Sequence, residues 1–188
     1  MLIETPIRTL GHVDCRDLAQ RALAAAESDW YADSRRQDDY EVHAETQSIV
    51  LTFCTGWPKV QVSLARGWDA FADVAVPVMK AVIAKYYAPN GRVLRAMLAR
   101  LPPGCRIPRH KDAHPSFSVG HRIHIPLVTN PQVEFIVGTL HVPPREHYAF
   151  ELNNMMFHQV ANNGPTTRIH FIFDYAPASP RTPPNAPS

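Results

Sequence analysis

Between residues 92 and 175, turn residues cut the chain into short runs of β character, none long enough to build a helical period. The candidate strands are 93–98, 106–109, 120–128, 133–142, 147–152, 158–161 and 167–175. Pro102-Pro103-Gly104, Asn130-Pro131, Pro143-Pro144, Asn153-Asn154 and Asn163-Gly164-Pro165 punctuate them. Short strands at regular spacing between such turns close into an antiparallel sandwich or barrel. The pattern predicts a mainly β chain of the jelly-roll, cupin-like type.

Helical signals are confined to the first half. Asp14 stands where it would cap a helix over 16–27, in which Leu18, Ala22 and Ala25 recur at helical spacing. A second helix is expected to start near Pro77, since proline is tolerated at the first helical position; Val78, Met79, Val82, Ile83 and Tyr86 would form its apolar face. Between them, 48–53 (SIVLTF) reads as a strand. With 188 residues, 45% of them hydrophobic, the chain has the length and apolar content of one domain. That domain is read as 1–176, helical or mixed over 1–91 and β-barrel over 92–176. Residues 177–188 hold five of the eighteen prolines and no large apolar side chain, which predicts a disordered tail.

Lys and Arg number 19 against 17 Asp and Glu, a balance too even for a general binder of nucleic acid or membrane surfaces. No apolar run approaches the ~20 residues of a membrane helix, and the first residues lack the apolar core of a signal peptide. Cys15, Cys54 and Cys105 form neither an even framework nor a CxxC pair, so a reducing, cytoplasmic setting is the expectation. The expected partner is a small-molecule or peptide substrate.

Eight of the ten histidines fall between His110 and His170. In His110-Lys111-Asp112, residues i and i+2 of an extended segment project from one face. His110 and Asp112 are thereby disposed to bind one ion, with Lys111 turned away. His158, just past the Asn153-Asn154 turn, is the leading candidate for a third ligand. Two histidines and a carboxylate on one side of a metal, with open positions opposite, are the pattern of non-haem Fe(II) oxygenases. A hydrogen-bonded surface His–Asp pair is the plainer alternative. In 167–175, Ile169, Phe171 and Phe173 fill one face and Ile172 adds an apolar residue to the other, so Arg168 is expected to be buried. A buried guanidinium needs an anion. A dicarboxylate co-substrate would answer it bidentately, and an internal pair, for instance with Asp174, is the alternative. Arg122-Ile123-His124 repeats the arrangement, with Arg122 and His124 on one face of a second strand.

The segments LPPGCRIPRHKD (101–112), GHRIHIPLV (120–128), HYAFELNNMMFHQVANNG (147–164) and TRIHFIFDY (167–175), in this order and spacing, resemble the aspartyl/asparaginyl β-hydroxylase family of Fe(II)/2-oxoglutarate-dependent oxygenases. Weaker similarity extends across 30–53. The resemblance implies a double-stranded β-helix. It also implies an Fe(II)/2-oxoglutarate-dependent dioxygenase that uses O2 to hydroxylate an unactivated C–H bond of an amino-acid-like substrate, free or within a peptide. It marks His110, Asp112 and His158 as catalytic iron ligands, Arg168 as the anchor of the distal carboxylate of 2-oxoglutarate, and Arg122 and His124 as further co-substrate contacts. Two departures stand out. Vertebrate aspartyl hydroxylases carry glycine in place of the carboxylate ligand, whereas this chain has Asp112. The family's co-substrate-binding serine falls at Ala99, which leaves one contact to Arg100 or another group.

Between residues 95 and 122, six basic residues stand against Asp112 alone, which suits an anionic substrate; solvated strand positions are the plainer reading. The charged stretch 33–41 reads as a lid or an exposed loop. The competing reading is a non-catalytic or 2-oxoglutarate-independent metal-binding cupin-like protein. The joint presence of His110, Asp112, His158 and Arg168 speaks against it.

Overall fold

Turn chemistry and alternation give two facing antiparallel sheets. The computed structural model describes residues 3–32, 45–112, 114–143 and 145–178. Among these, three strands precede residue 92: β1 (Ile7–His12), β2 (Gln47–Thr55) and β3 (Gln61–Leu64). Eight follow: β4 (Arg92–Leu101), β5 (Arg106–His110), β6 (His121–Val128), β7 (Val133–Val137), β8 (Leu140–His141), β9 (Tyr148–Leu152), β10 (His158–Asn162) and β11 (Arg168–Ala176). The major sheet runs β1-β9-β6-β11-β4-β2-β3 and the minor sheet β5-β10-β7-β8. The jelly roll expected from the sequence is the fold observed.

The faces of the major sheet differ in kind. Ile123, Ile125, Phe171, Phe173, Ala96 and Leu98 lie on the outer face and join one core with α1 (Arg16–Ala24) and α3 (Trp68–Tyr86). Burying each large side chain of that set contributes about 1.5–3 kcal/mol. On the inner face, toward the minor sheet, Leu101, Phe150 and Leu152 pack against Ile107, Phe135 and Val160. That second core fills only part of the space between the sheets. The rest of the inner face of β4, β6 and β11 sets Arg95, Arg122, His124, Arg168, His170 and Asp174 around a small apolar cluster of Met97, Ala99 and Ile172.

Several expectations are corrected. Asp14 does not cap α1: the helix starts after Cys15 without a side-chain cap, while both Asp14 oxygens take the Arg16 guanidinium at 3.0 Å. The helix ends at Ala24, and Glu27 opens a separate turn, α2 (Glu27–Trp30). Pro77 lies inside α3, which begins at Trp68. Phe71 and Ala75 extend the buried face of Val78, Met79 and Val82 at four-residue spacing, and that packing carries the helix past the missing amide. The run 133–142 is two strands, because Gly138 at φ +63° turns the chain between β7 and β8. β1 and β3 went unanticipated. The expectation for 33–41, and that for the tail from residue 179 onward, fall outside the described residues.

Candidate metal centre and co-substrate pocket

The first site residues come from one rung of the minor sheet. His158, at the start of β10, pairs in register with His110, at the end of β5, and their rings lie 4.2 Å apart between centroids. Asp112 follows two residues on, with Oδ1 3.9 Å from His110 Nε2. Each of the three side chains offers one ligand atom, and these atoms lie within 4.8 Å of one another. Nδ1 of His110 donates to the Pro108 carbonyl at 2.8 Å, and Nδ1 of His158 to the Met156 carbonyl at 3.0 Å. Both rings therefore carry the proton on Nδ1 and the lone pair on Nε2, the tautomer a metal ligand requires. Two imidazoles and a carboxylate fit a divalent iron with positions left for other ligands.

Burial pushes the His158 imidazole down from 6.5 to about 4. His158 thus stays neutral, ready to ligate, across the physiological range. The sign of the linkage follows. The unfolded chain binds a proton at this residue near pH 6.5 and the folded chain only near pH 4, so stability rises with pH across that window. The metal-free protein is expected to melt at progressively lower temperature as pH falls from about 6.5 to about 4. Substituting His158→Gln should flatten that slope in thermal scans.

The carboxylate of Asp112 is held from the opposite sheet. Arg122, on β6, donates from Nη1 to Asp112 Oδ2 at 2.7 Å. Its Nε and Nη2 grip the two oxygens of Asp174, on β11, at 2.8 and 3.0 Å. Arg95 on β4 reaches Asp174 at 3.4 Å and the Ser116 hydroxyl at 2.7 Å, and that hydroxyl donates to His114 Nδ1 at 2.8 Å. Phe117 lies under both guanidinium groups, 4.2 Å from Arg122 and 4.6 Å from Arg95. This chain of charges orients the third candidate ligand from the core of the major sheet. Arg122→Met would leave Asp112 and Asp174 short of their fork and is expected to cost about 3–5 kcal/mol in urea unfolding. Arg122→Lys should recover only part of that, because an ammonium cannot span both carboxylates.

One pocket joins the ligand set to the other sequence-identified residues: His110, Asp112 and His158 line it together with Arg122, His124 and Arg168. Ala99, Phe135, Leu152 and Ile172 supply the apolar wall. His124 stacks on Phe150 at 5.3 Å. Arg168 is 2% exposed, with Nη2 donating to His170 Nδ1 at 2.8 Å. The Asp174 alternative for Arg168 is not realised, since Asp174 binds Arg122 and Arg95. Sequence reasoning missed Asp174, Arg95 and His170 as site residues. His170 and Asp174 share the alternating face of Arg168, and that period of two was the available signal. Of the six basic residues between 95 and 122, Arg95 and Arg122 are internal and Arg100 is bound to Glu27 at 2.6–2.7 Å. Arg109 and Lys111 cover the Phe157 ring at 3.9 and 4.5 Å.

A family model described as aspartyl/asparaginyl beta-hydroxylase matches residues 16–177. Among solved structures, the non-heme monooxygenase ThoJ in its nickel complex superposes with TM-score 0.57 at 17% identity, covering 92% of this chain and 74% of that one. A Pseudomonas putida prolyl-4-hydroxylase gives 0.52 at 16%, over 94% and 95% of the two chains. The viral collagen prolyl hydroxylase of Paramecium Bursaria Chlorella virus-1, solved with 2OG, gives 0.57 at 8%, over 94% and 98%. At these identities the likeness is one of fold. No curated protein matches the chain by sequence.

Proposed function

The chain belongs to the aspartyl/asparaginyl β-hydroxylase family, and from that premise we propose that it hydroxylates an unactivated C–H bond of an amino-acid-like substrate, free or within a peptide. It is an Fe(II)/2-oxoglutarate-dependent oxygenase. The observation that carries the reading is the joining of the His110–Asp112–His158 donor set to buried Arg168 in one pocket. When bound, Fe(II) with 2-oxoglutarate and O2 supplies an oxidation that yields succinate and CO2 and puts one oxygen atom into the substrate.

The protein's share is positioning. His110, Asp112 and His158 hold the metal through Nε2, a carboxylate oxygen and Nε2. Arg122 fixes the Asp112 carboxylate, so the ligand set stands assembled before the metal arrives. Arg168 anchors the distal carboxylate of the co-substrate, and His124 borders the same pocket. The wall of Phe135, Leu152 and Ile172 keeps water from the co-substrate chain. Arg109 and Lys111, gathered on Phe157 beside the ligand segments, favour a substrate that carries a carboxylate.

The test is to titrate 2-oxoglutarate into the anaerobic Fe(II) protein and follow the visible charge-transfer band of the chelate. A band in the wild type that is lost in His158→Ala supports the reading. Confirmed iron binding with no band would replace it with a 2-oxoglutarate-independent metal protein.

A further inference from the structure

The inner face of the major sheet is ordered in rows across its strands. Directly paired residues of neighbouring antiparallel strands share a face. Asp174 pairs with Arg122 and with Arg95, making the charged row that holds Asp112. Two residues along, Ile172 pairs with His124 and with Met97. Two further, His170 pairs with Ala99, and Ala99 pairs with Ser48 of β2. Arg168 lies one row beyond. Ile49 and Leu98, the next pair along β2 and β4, belong to the helix-side core, which fixes Ser48 and Ala99 on the lumen face.

The third row is unusual in what it leaves unsatisfied. Ser48 and His170 are both fully buried, and among the described residues neither Ser48 Oγ nor His170 Nε2 has a hydrogen-bond partner. Buried polar atoms are seldom left so, and two in one row beside a pocket call for an explanation. His170 Nδ1 accepts from Arg168, so its Nε2 carries the proton and is a donor. Burial, then the Arg168 charge, holds this imidazole well below its usual range, which keeps it neutral. Between the two stands Ala99, whose methyl group fills little of the space and which lines the pocket. The pocket wall passes from the candidate metal ligands to Ile172, Ala99 and Arg168, and Ser48 and His170 flank Ala99 in its row. Polar, apolar, polar is the pattern of a short dicarboxylate: a chelating end, methylenes, a second carboxylate.

We propose that Ser48 is a specificity-determining residue, its hydroxyl and the Nε2–H of His170 hydrogen-bonding the distal carboxylate of 2-oxoglutarate across the gap left by Ala99. The proposal rests on the co-substrate reading given above. It makes the seat for that carboxylate a product of three strands, β2, β4 and β11.

The experiment measures binding by calorimetry on the Mn(II)-loaded protein, with 2-oxoglutarate and with 2-oxopentanoate, which lacks the distal carboxylate. Ser48→Ala should weaken 2-oxoglutarate about tenfold or more, because the hydroxyl donates to a charged acceptor. Binding of Mn(II), binding of 2-oxopentanoate and the melting temperature should be unchanged. Adding Ala99→Ser to Ser48→Ala should restore much of the loss, since the register brings the new hydroxyl to the same gap. Wild-type affinity for 2-oxoglutarate in Ser48→Ala would overturn the proposal, as would an equal loss for both ligands. A wild type that binds Mn(II) but not 2-oxoglutarate would overturn the co-substrate reading itself, and this proposal with it.

Discussion

Replacing His158 with alanine is expected to reduce Fe(II) or Mn(II) binding by well over a hundredfold and to remove turnover. Removing a group that only orients a ligand typically costs 10–100-fold in affinity, and in the proposed centre His158 is a ligand itself. Only His110 and Asp112 would remain of the donor set, one imidazole and one carboxylate. The loss should be specific. His158 sits at the start of β10, where its backbone pairs with β5 and β7, and those pairings do not depend on the side chain. His158→Gln, closer in volume, separates the lost ligand from the lost packing. Calorimetric titration of metal into both variants, alongside their melting curves, checks this. Binding within tenfold of wild type in either would remove His158 from the metal centre.

Arg168→Ala is expected to lower 2-oxoglutarate affinity by about a hundredfold while metal affinity stays within a factor of about two. Hydrogen bonds to a charged partner contribute roughly 1.5–3 kcal/mol, and a guanidinium offers a carboxylate two of them in a desolvated pocket. The metal ligands belong to β5, the segment after it and β10, whereas Arg168 opens β11 in the other sheet. The two losses should therefore separate: no metal in one variant, metal without co-substrate in the other. Normal 2-oxoglutarate affinity in Arg168→Ala would end the anchoring role assigned to it.

The clustering of His110 with Asp112 and the burial of Arg168 were legible in the sequence because their signals are local. His110 and Asp112 follow from i and i+2 on an extended segment, and Arg168 from alternation along a single strand. What could not be read locally is the pairing of strands. Arg122 was expected at the co-substrate and is found joining Asp112 to Asp174, a contact created by the β6–β11 register. One exclusion was available from arithmetic alone. Arg168 and Asp174 stand six residues apart on one strand, about 20 Å, and so could never have met. β3 escaped notice because its edge position leaves a mostly exposed run without alternation, and β1 because Gly11 shifts its register. The start of α3 was legible in Phe71 and Ala75, but Pro77 drew attention as a beginning when it lies mid-helix.

β6 and β11 carry two scripts in alternating letters. Ile123, Ile125, Phe171 and Phe173 spell only the packing of helices on a sheet, and Arg122, His124, Arg168 and His170 spell only what the lumen receives. Drift in one script leaves the other readable. The lumen script can thus be rewritten one character at a time, a serine displaced to the neighbouring strand or a carboxylate gained beside a histidine, without respelling the fold. Diversity among such barrels should accordingly concentrate in the even or the odd positions of a strand, never evenly in both.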